Sequence, residues 1–227
     1  MKKCILLVFL LLPTLLMARQ HEPPKSMLYG LSNKSDMVTI ELPPVDVAKS
    51  LEKHQYKDFQ AKPLRFANPN KVEITPATHG SWRQVPGGEI WQLRFTAENA
   101  TDMNFGITEF HLPKNVELHF LSFADATPFY DGPYTQQDNK SYNELWSAPL
   151  PGGDVGLELF VPDGVNKDFS FTLTQVSTGF RDVFKRYGGP GLNVQRQGAC
   201  NNDVVCPVGD DWRDEIRSVA AYTVGGV

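Results

Sequence analysis

Along residues 64–184, apolar and polar positions alternate in short runs with the two-residue period of half-buried strands. Val116, Leu118 and Phe120 fall on one face, Glu117 and His119 on the other. Ile90, Gln92 and Arg94 oppose Trp91, Leu93 and Phe95 in the same way. The pattern predicts strands at 72–75, 80–85, 89–96, 104–112, 116–123, 156–161, 169–176 and 180–184. Pro86-Gly87-Gly88 predicts a hairpin between the second and third of these. Pro113-Lys114-Asn115 predicts a turn before the fifth. Helical periodicity is almost absent. The predicted fold is mainly β: an antiparallel β-sandwich, jelly-roll-like, over residues 64–184. Periodicity carries no strand order. An aromatic and polar insert at 125–151 (Phe129, Tyr130, Tyr134, Tyr142, Trp146) is expected to cross one end of the sandwich.

The flanks differ in character. Residues 1–18 open with Lys2 and Lys3, continue as an apolar run interrupted by Pro13 and Thr14, and end at Ala18 before Arg19-Gln20-His21-Glu22. This is the pattern of a secretory signal peptide cut near Ala18. The run is shorter than the roughly 20 residues that span a bilayer, so no membrane contact is expected after cleavage. Cys4 leaves with the signal. Residues 19–63 form a polar, proline-bearing lead, expected to be flexible at first. It holds one strand at 37–42 and a short helix capped by Asp46 that runs to about His54. Val47, Ala48 and Leu51 give that helix a weak apolar face, and Lys49, Glu52, Lys53 and His54 face water. Residues 185–198 (Lys-Arg-Tyr-Gly-Gly-Pro-Gly-Leu-Asn-Val-Gln-Arg-Gln-Gly) read as an exposed, flexible linker. It is the stretch a protease would most readily cut.

Composition narrows the chemistry. The 227 residues carry a net charge of −4 with no clustered basic excess, which argues against nucleic acid as a partner. Five histidines (His21, His54, His79, His111, His119) are scattered. Glu109 with His111, and Glu117 with His119, share strand faces, compatible with a metal site or with plain solvent-facing polarity. Asp210, Asp211, Asp214 and Glu215 do not fit a calcium-binding loop, and Arg213 and Arg217 lie close enough to neutralise them. No cofactor and no metal is expected. The insert's aromatics suit either a ligand platform or packing over the sandwich end. Cys200 and Cys206 remain in an exported chain, where disulfides are favoured. They can pair with each other or with cysteines further on.

The stretch that begins Cys200-Asn-Asn-Asp-Val-Val-Cys-Pro and continues Trp212-Arg-Asp-Glu-Ile-Arg-Ser-Val-Ala-Ala-Tyr closely resembles the mature amino terminus of the secreted bacterial lysyl endopeptidases. These are chymotrypsin-like serine endopeptidases. The resemblance implies a precursor secreted to the periplasm or medium. Residues 1–18 are then the signal and 19–196 the pro-region. Residues 199–227 are then the start of the protease domain, with the first strand of an incomplete β-barrel. It implies that Cys200 and Cys206 reach cysteines in the catalytic domain. It also implies that the pro-region assists folding and inhibits the protease that follows, whose substrates are proteins. The insert's aromatic surface is then a further candidate for holding that domain.

No histidine follows Ala199, and no Gly-x-Ser-x-Gly elbow is present. Without a base no serine is activated, so residues 1–227 are not expected to cleave peptides themselves. The implied maturation cut lies just before Cys200, where a self-maturing lysine-specific enzyme needs lysine. The nearby bases are Arg196 and Arg186, with Lys185 beside the latter. A helper protease, a specificity other than strict lysine, or a cut at Lys185 followed by trimming each accounts for this. The alternatives to a precursor are a secreted β-sandwich that binds a glycan or protein, and a free-standing protease inhibitor.

Overall fold

The computed structural model describes residues 22–54, 65–125, 129–165 and 169–183. Ala18, Lys185, Arg186, Arg196, Cys200 and Cys206, and the start of the barrel, lie outside the described residues. So do His21 and the acidic cluster at 210–215.

The fold is the predicted β-sandwich. One sheet, here sheet A, holds β1 (Thr39–Glu41), β3 (Ser81–Val85), β4 (Gly88–Thr96), β6 (Glu117–Ser122), β7 (Phe129–Tyr134) and β10 (Asp154–Pro162). Its order is β1-β4-β10-β6-β7, with β3 on the same side of β4 as β1. Sheet B holds β2 (Ala67–Ile74), β5 (Asp102–His111), β8 (Leu145–Trp146), β9 (Leu150–Pro151) and β11 (Ser170–Gly179). Its order is β2-β11-β5, with β8 and β9 both on β5. All pairings are antiparallel except β1 with β4.

The core is the seam between the sheets. Sheet A contributes Trp91, Leu93, Phe95, Leu118, Phe120, Leu157 and Leu159; sheet B contributes Met103, Phe105, Ile107, Phe171, Leu173 and Val176. Phe105 stacks on Phe120 with ring centroids 5.3 Å apart, and Trp91 meets Phe171 edge-on at 5.7 Å. These rings fix the distance between the sheets through the geometry that aromatic pairs prefer. The faces read from the alternation of β4 and β6 are the faces observed.

The boundaries differ in instructive ways. β2 begins at Ala67, five residues before its predicted start. Pro69 hides the strand in sequence, yet β2 is an edge strand, where a missing N–H is tolerated. The insert does not merely cross the sandwich end. It forms β7 along β6 and the short β8 and β9 along β5. No strand forms over 180–183: β11 ends at Gly179, and Phe180 and Arg181 both donate their N–H to the carbonyl of Phe66. The helix Val47–Lys53 is capped as predicted, with Asp46 accepting from the N–H of Lys49.

The lead is the main correction. Residues 22–38 are an ordered strap over the outer face of sheet A, and they include a one-turn helix, Lys25–Leu28. Met37 packs on Leu121 and Phe123, with Met27 and Tyr130 beside them. Leu31 packs on Ile90, Phe160 and Val85.

Candidate functional site: the strap face and the linker exit

Two places gather polar groups that a simple sandwich has no need to bury. The first lies under the strap. Gln92 of β4, Glu158 of β10 and His119 of β6 form a row across the outer face of sheet A, registered directly opposite one another. Each is nearly or fully buried. The carboxylate of Glu158 accepts from the backbone N–H of Ser26 at 3.0 Å and from Nε2 of Gln92 at 3.0 Å. His119 Nε2 lies 3.0 Å from the carbonyl of Glu22. Lys25 pairs with Glu117 at 3.2 Å and also sits over the Phe160 ring. Burial raises the Glu158 carboxyl above its ordinary value, and the bonds from Ser26 and Gln92 only partly oppose this.

At the far end of the strap, Arg94 grips Asp154 through two bonds of 2.7 and 2.9 Å, and Lys34 joins at 3.0 Å. Burial pulls Asp154 upward, but the hydrogen bonds from Arg94 and Lys34 outweigh it and hold the carboxyl below the usual range. The same bond to Asp154 raises the Arg94 guanidinium. Glu117 and His119 therefore do not face solvent, contrary to the bland reading of their alternation. The signal in sequence was the set of apolar residues at outward positions: Ile90, Leu121 and Phe160.

The second place is where the chain leaves sheet B. Arg181 donates from Nε to the carbonyl of Arg65 and from Nη2 to the carbonyl of His54, 3.0 Å each. Phe180, fully buried, stacks on the His54 ring at 5.7 Å. His54 is thus a half-exposed helix C-cap whose ring also stacks on an aromatic neighbour. Burial, with Arg65, Lys53 and Arg181 nearby, lowers its affinity for a proton. Burial also lowers the Arg181 guanidinium.

Beside this clamp, Asp102 and Asn104 point from β5 away from the core, two residues apart on one face. Asp102 lies fully buried against Gly179, and a Cβ at Gly179 would overlap its carboxylate. Thr101 Oγ1 donates to Asp102 Oδ2 at 2.8 Å. Asp102 Oδ1 and Asn104 Oδ1 are buried without a hydrogen-bond partner. Burial pushes the Asp102 carboxyl up to about 7; the Thr101 bond opposes this and the charge of Asp182 adds to it. Nothing in the alternation marked Asp102 or Asn104, since both look like ordinary outward polar positions.

The insert's aromatics divide. Tyr134 is buried edge-on to Phe120, and Tyr130 packs near His119 under the strap. Phe129, Tyr142 and Trp146 are exposed. Trp146 lies over Gly106, whose missing side chain makes the room. Among the described residues no three His, Cys, Asp or Glu side chains are grouped to hold a metal. His79 and His111 are exposed and apart from both polar sites.

Residues 41–178 match the lysyl endopeptidase N-terminal domain family. The chain belongs to that family. The match begins at the last residue of β1 and ends one residue before the end of β11, so it takes in all of the sandwich but most of β1 and the last residue of β11. No solved structure matches the chain. A lysyl endopeptidase N-terminal domain is the pro-region of a protease precursor, and the protease domain is its expected downstream partner. The strap at 22–38 and the exit beyond Thr178 lie on either side of the matched span.

Proposed function

We propose that this chain is the amino-terminal part of a secreted serine endopeptidase precursor, in which residues 1–18 direct export and are removed near Ala18. The sandwich then acts as a pro-region that helps the protease domain to fold and holds it inactive until the linker at 185–198 is cut. The observation that carries this reading is the family match across the sandwich. The resemblance of the segment after Ala199 to a mature protease terminus supports a cut just before Cys200. Cys200 and Cys206 then pair with cysteines of the protease domain, and the proteins it cleaves are its substrates alone.

The physical logic is that of a tethered partner. A protease barrel depends on slow non-local strand pairing, which a preformed surface accelerates. A covalently linked inhibitor acts at a high effective concentration. The test is refolding of the protease domain from denaturant, alone and with the sandwich added in trans. The expected result is a higher yield of refolded protease that stays inhibited until the sandwich is digested. Equal yields, with no inhibition of mature protease by the sandwich, overturn the proposal. Mass spectrometry of the exported chain checks the cut near Ala18.

A further inference from the structure

The strap carries two lysines, and sheet A holds both in the same way. Lys25 Nζ lies 3.2 Å from the carboxylate of Glu117 and 5.2 Å from the centroid of the Phe160 ring. Lys34 Nζ lies 3.0 Å from the carboxylate of Asp154 and 5.9 Å from the centroid of the Phe123 ring. Glu117 and Phe160 are direct cross-strand partners on β6 and β10. Asp154 opens β10, and Phe123, just past the end of β6, donates its N–H to the Asp154 carbonyl. The two notches thus sit at opposite ends of one strand pair. Each sets a carboxylate beside an aromatic ring, a combination that suits an ammonium group. Arg94 also grips Asp154 and fixes its carboxylate in place. The other described lysines (Lys49, Lys53, Lys71, Lys114 and Lys140) are exposed, and Lys25 is the one described lysine that is not.

The peptide bonds that follow these lysines are held as well. The Lys25 carbonyl accepts from the N–H of Tyr29 at 3.0 Å, and the N–H of Ser26 donates to Glu158 at 3.0 Å. The Lys34 carbonyl accepts from the N–H of Met37 at 3.4 Å and from Arg94 at 3.5 Å, and the N–H of Ser35 donates to the Asn33 side chain at 3.3 Å. A protease that cuts after lysine must take the ammonium into its own pocket and draw the backbone out in extended form. Here the groups it needs are already engaged. We propose that the strap is a lysine latch: the bonds Lys25–Ser26 and Lys34–Ser35 are the sites at which a lysine-specific endopeptidase opens the sandwich, and Glu117 and Asp154 slow the cut by withholding the two side chains. Hydrolysis adds one water across the bond and leaves a carboxylate on the lysine and an amine on the serine. The piece on the amino-terminal side then loses its link to β1, and with it the high effective concentration that holds it on the sheet. Loss of the residues up to Lys34 uncovers Ile90 and Phe160 and strips Glu158 of the Ser26 N–H. The inference rests on the pro-region reading for the enzyme that makes the cut, and deepens it: a protease domain that cuts after lysine can dismantle its own inhibitor from the strap.

The experiment adds a lysine-specific endopeptidase in trans to the folded full chain at neutral pH. Cuts are mapped against time by mass spectrometry, with a hydrophobic dye in parallel samples. In wild type, slow cuts after Lys25 and Lys34 are expected to precede dye binding and breakdown of the sandwich. E117Q is expected to speed the cut after Lys25 about tenfold, the factor that corresponds to one sheltered ionic hydrogen bond. D154N is expected to speed the cut after Lys34 about threefold, because Lys34 is half-exposed and such pairs are weaker. Cuts after Lys114 and Lys140 gauge general loosening and are expected to keep their wild-type rates. K25R/K34R keeps both cations but removes both sites, and is expected to take up dye and break down more slowly than wild type. Unchanged rates in E117Q and D154N, an equal rise at all four lysines, or a K25R/K34R protein that breaks down as fast as wild type overturns the proposal. Were a carboxylate variant not to fold, the K25R/K34R comparison decides alone. The protease is an added one, and neither refolding yield nor inhibition is read. Failure here therefore leaves the pro-region reading standing, and failure there leaves the latch to be judged on its own cuts.

Discussion

Glu158 is the residue whose chemistry is most at odds with its setting. A carboxyl in the middle strand of sheet A, covered by the strap, is held by one backbone N–H and one amide. Burial raises its pKa, so the folded state binds a proton more tightly than the unfolded state. Its contribution to stability is therefore full below the ordinary glutamate range and is lost as pH rises through the raised folded value. Glu158→Gln removes the charge and keeps an acceptor for Ser26, and rotation of the Gln92 amide restores the second bond. The expected outcome is a stability that is no lower near neutral pH and flatter with pH than that of wild type. Glu158→Val differs, because it strips the N–H of Ser26 of its partner. That variant is expected to lose about 1–3 kcal/mol, the usual cost of an orphaned buried donor. Urea midpoints of the three proteins across pH 4–8 check both statements. A Gln variant as unstable as the Val variant at every pH would show that charge, not hydrogen bonding, is what the strap needs.

The strap is the element that decides which face of sheet A meets water. Beneath it lie Ile90, Phe160, Leu121 and Phe123, apolar side chains on the face opposite the core. Removal of residues 22–38 uncovers them together with Glu158, Gln92 and His119, while the pairing of β4, β10 and β6 is left in place. The expected product keeps its β-type circular dichroism, melts at a lower temperature, and binds a hydrophobic dye or self-associates in sedimentation, as exposed apolar patches do. A truncated protein that stays monomeric, binds no dye and melts like wild type counts against the strap as a cover.

The same element marks the limit of what the chain discloses on inspection. The long central strands were legible because their alternation has one face in the core: Trp91, Leu93 and Phe95, or Leu118 and Phe120, against polar partners. The strap was not, since its hold is a mix of side-chain bonds to its backbone, two lysine–carboxylate pairs and a few apolar contacts, spread over seventeen positions with no period. β7 was hidden by Asp131-Gly132-Pro133, which reads as a turn but lies in an edge strand that tolerates it. β8 and β9 are two residues each, too short to show any period. The acceptors at Asp102 and Asn104 were invisible for another reason: alternation tells inward from outward, and only the packing shows that these outward positions are buried.

At the scale of the whole molecule, the order of strands in space dictates the order of events in folding. β10 is the middle strand of sheet A, between β4 and β6, and β11 is the middle strand of sheet B, between β2 and β5. These are the last two strands of the described residues in chain order. Each sheet is therefore closed from its centre by a strand made late, and β2 waits for β11 across most of the domain. Chains rich in such non-local pairings fold slowly. A chain that ends after Pro162 has β10 but no β11. Its β2 has no partner, β5 loses its main one, and Phe105, Ile107 and Trp91 lose the cover of Phe171, Leu173 and Val176. A chain that ends after Val183 keeps all of these and also Phe180 and Arg181, which tie the exit to Phe66, Arg65 and His54. The expected outcome is a cooperative urea transition for the second chain and none for the first. Tryptophan emission reads it well, because Trp91 is fully buried edge-on to Phe171. Were the chain ending at Pro162 to unfold cooperatively with a buried Trp91, closure from the centre would be wrong. If the transition appears only with β11 present, the sandwich is complete before any residue beyond the linker is needed, which is the order in which a pro-region must fold to serve the domain after it.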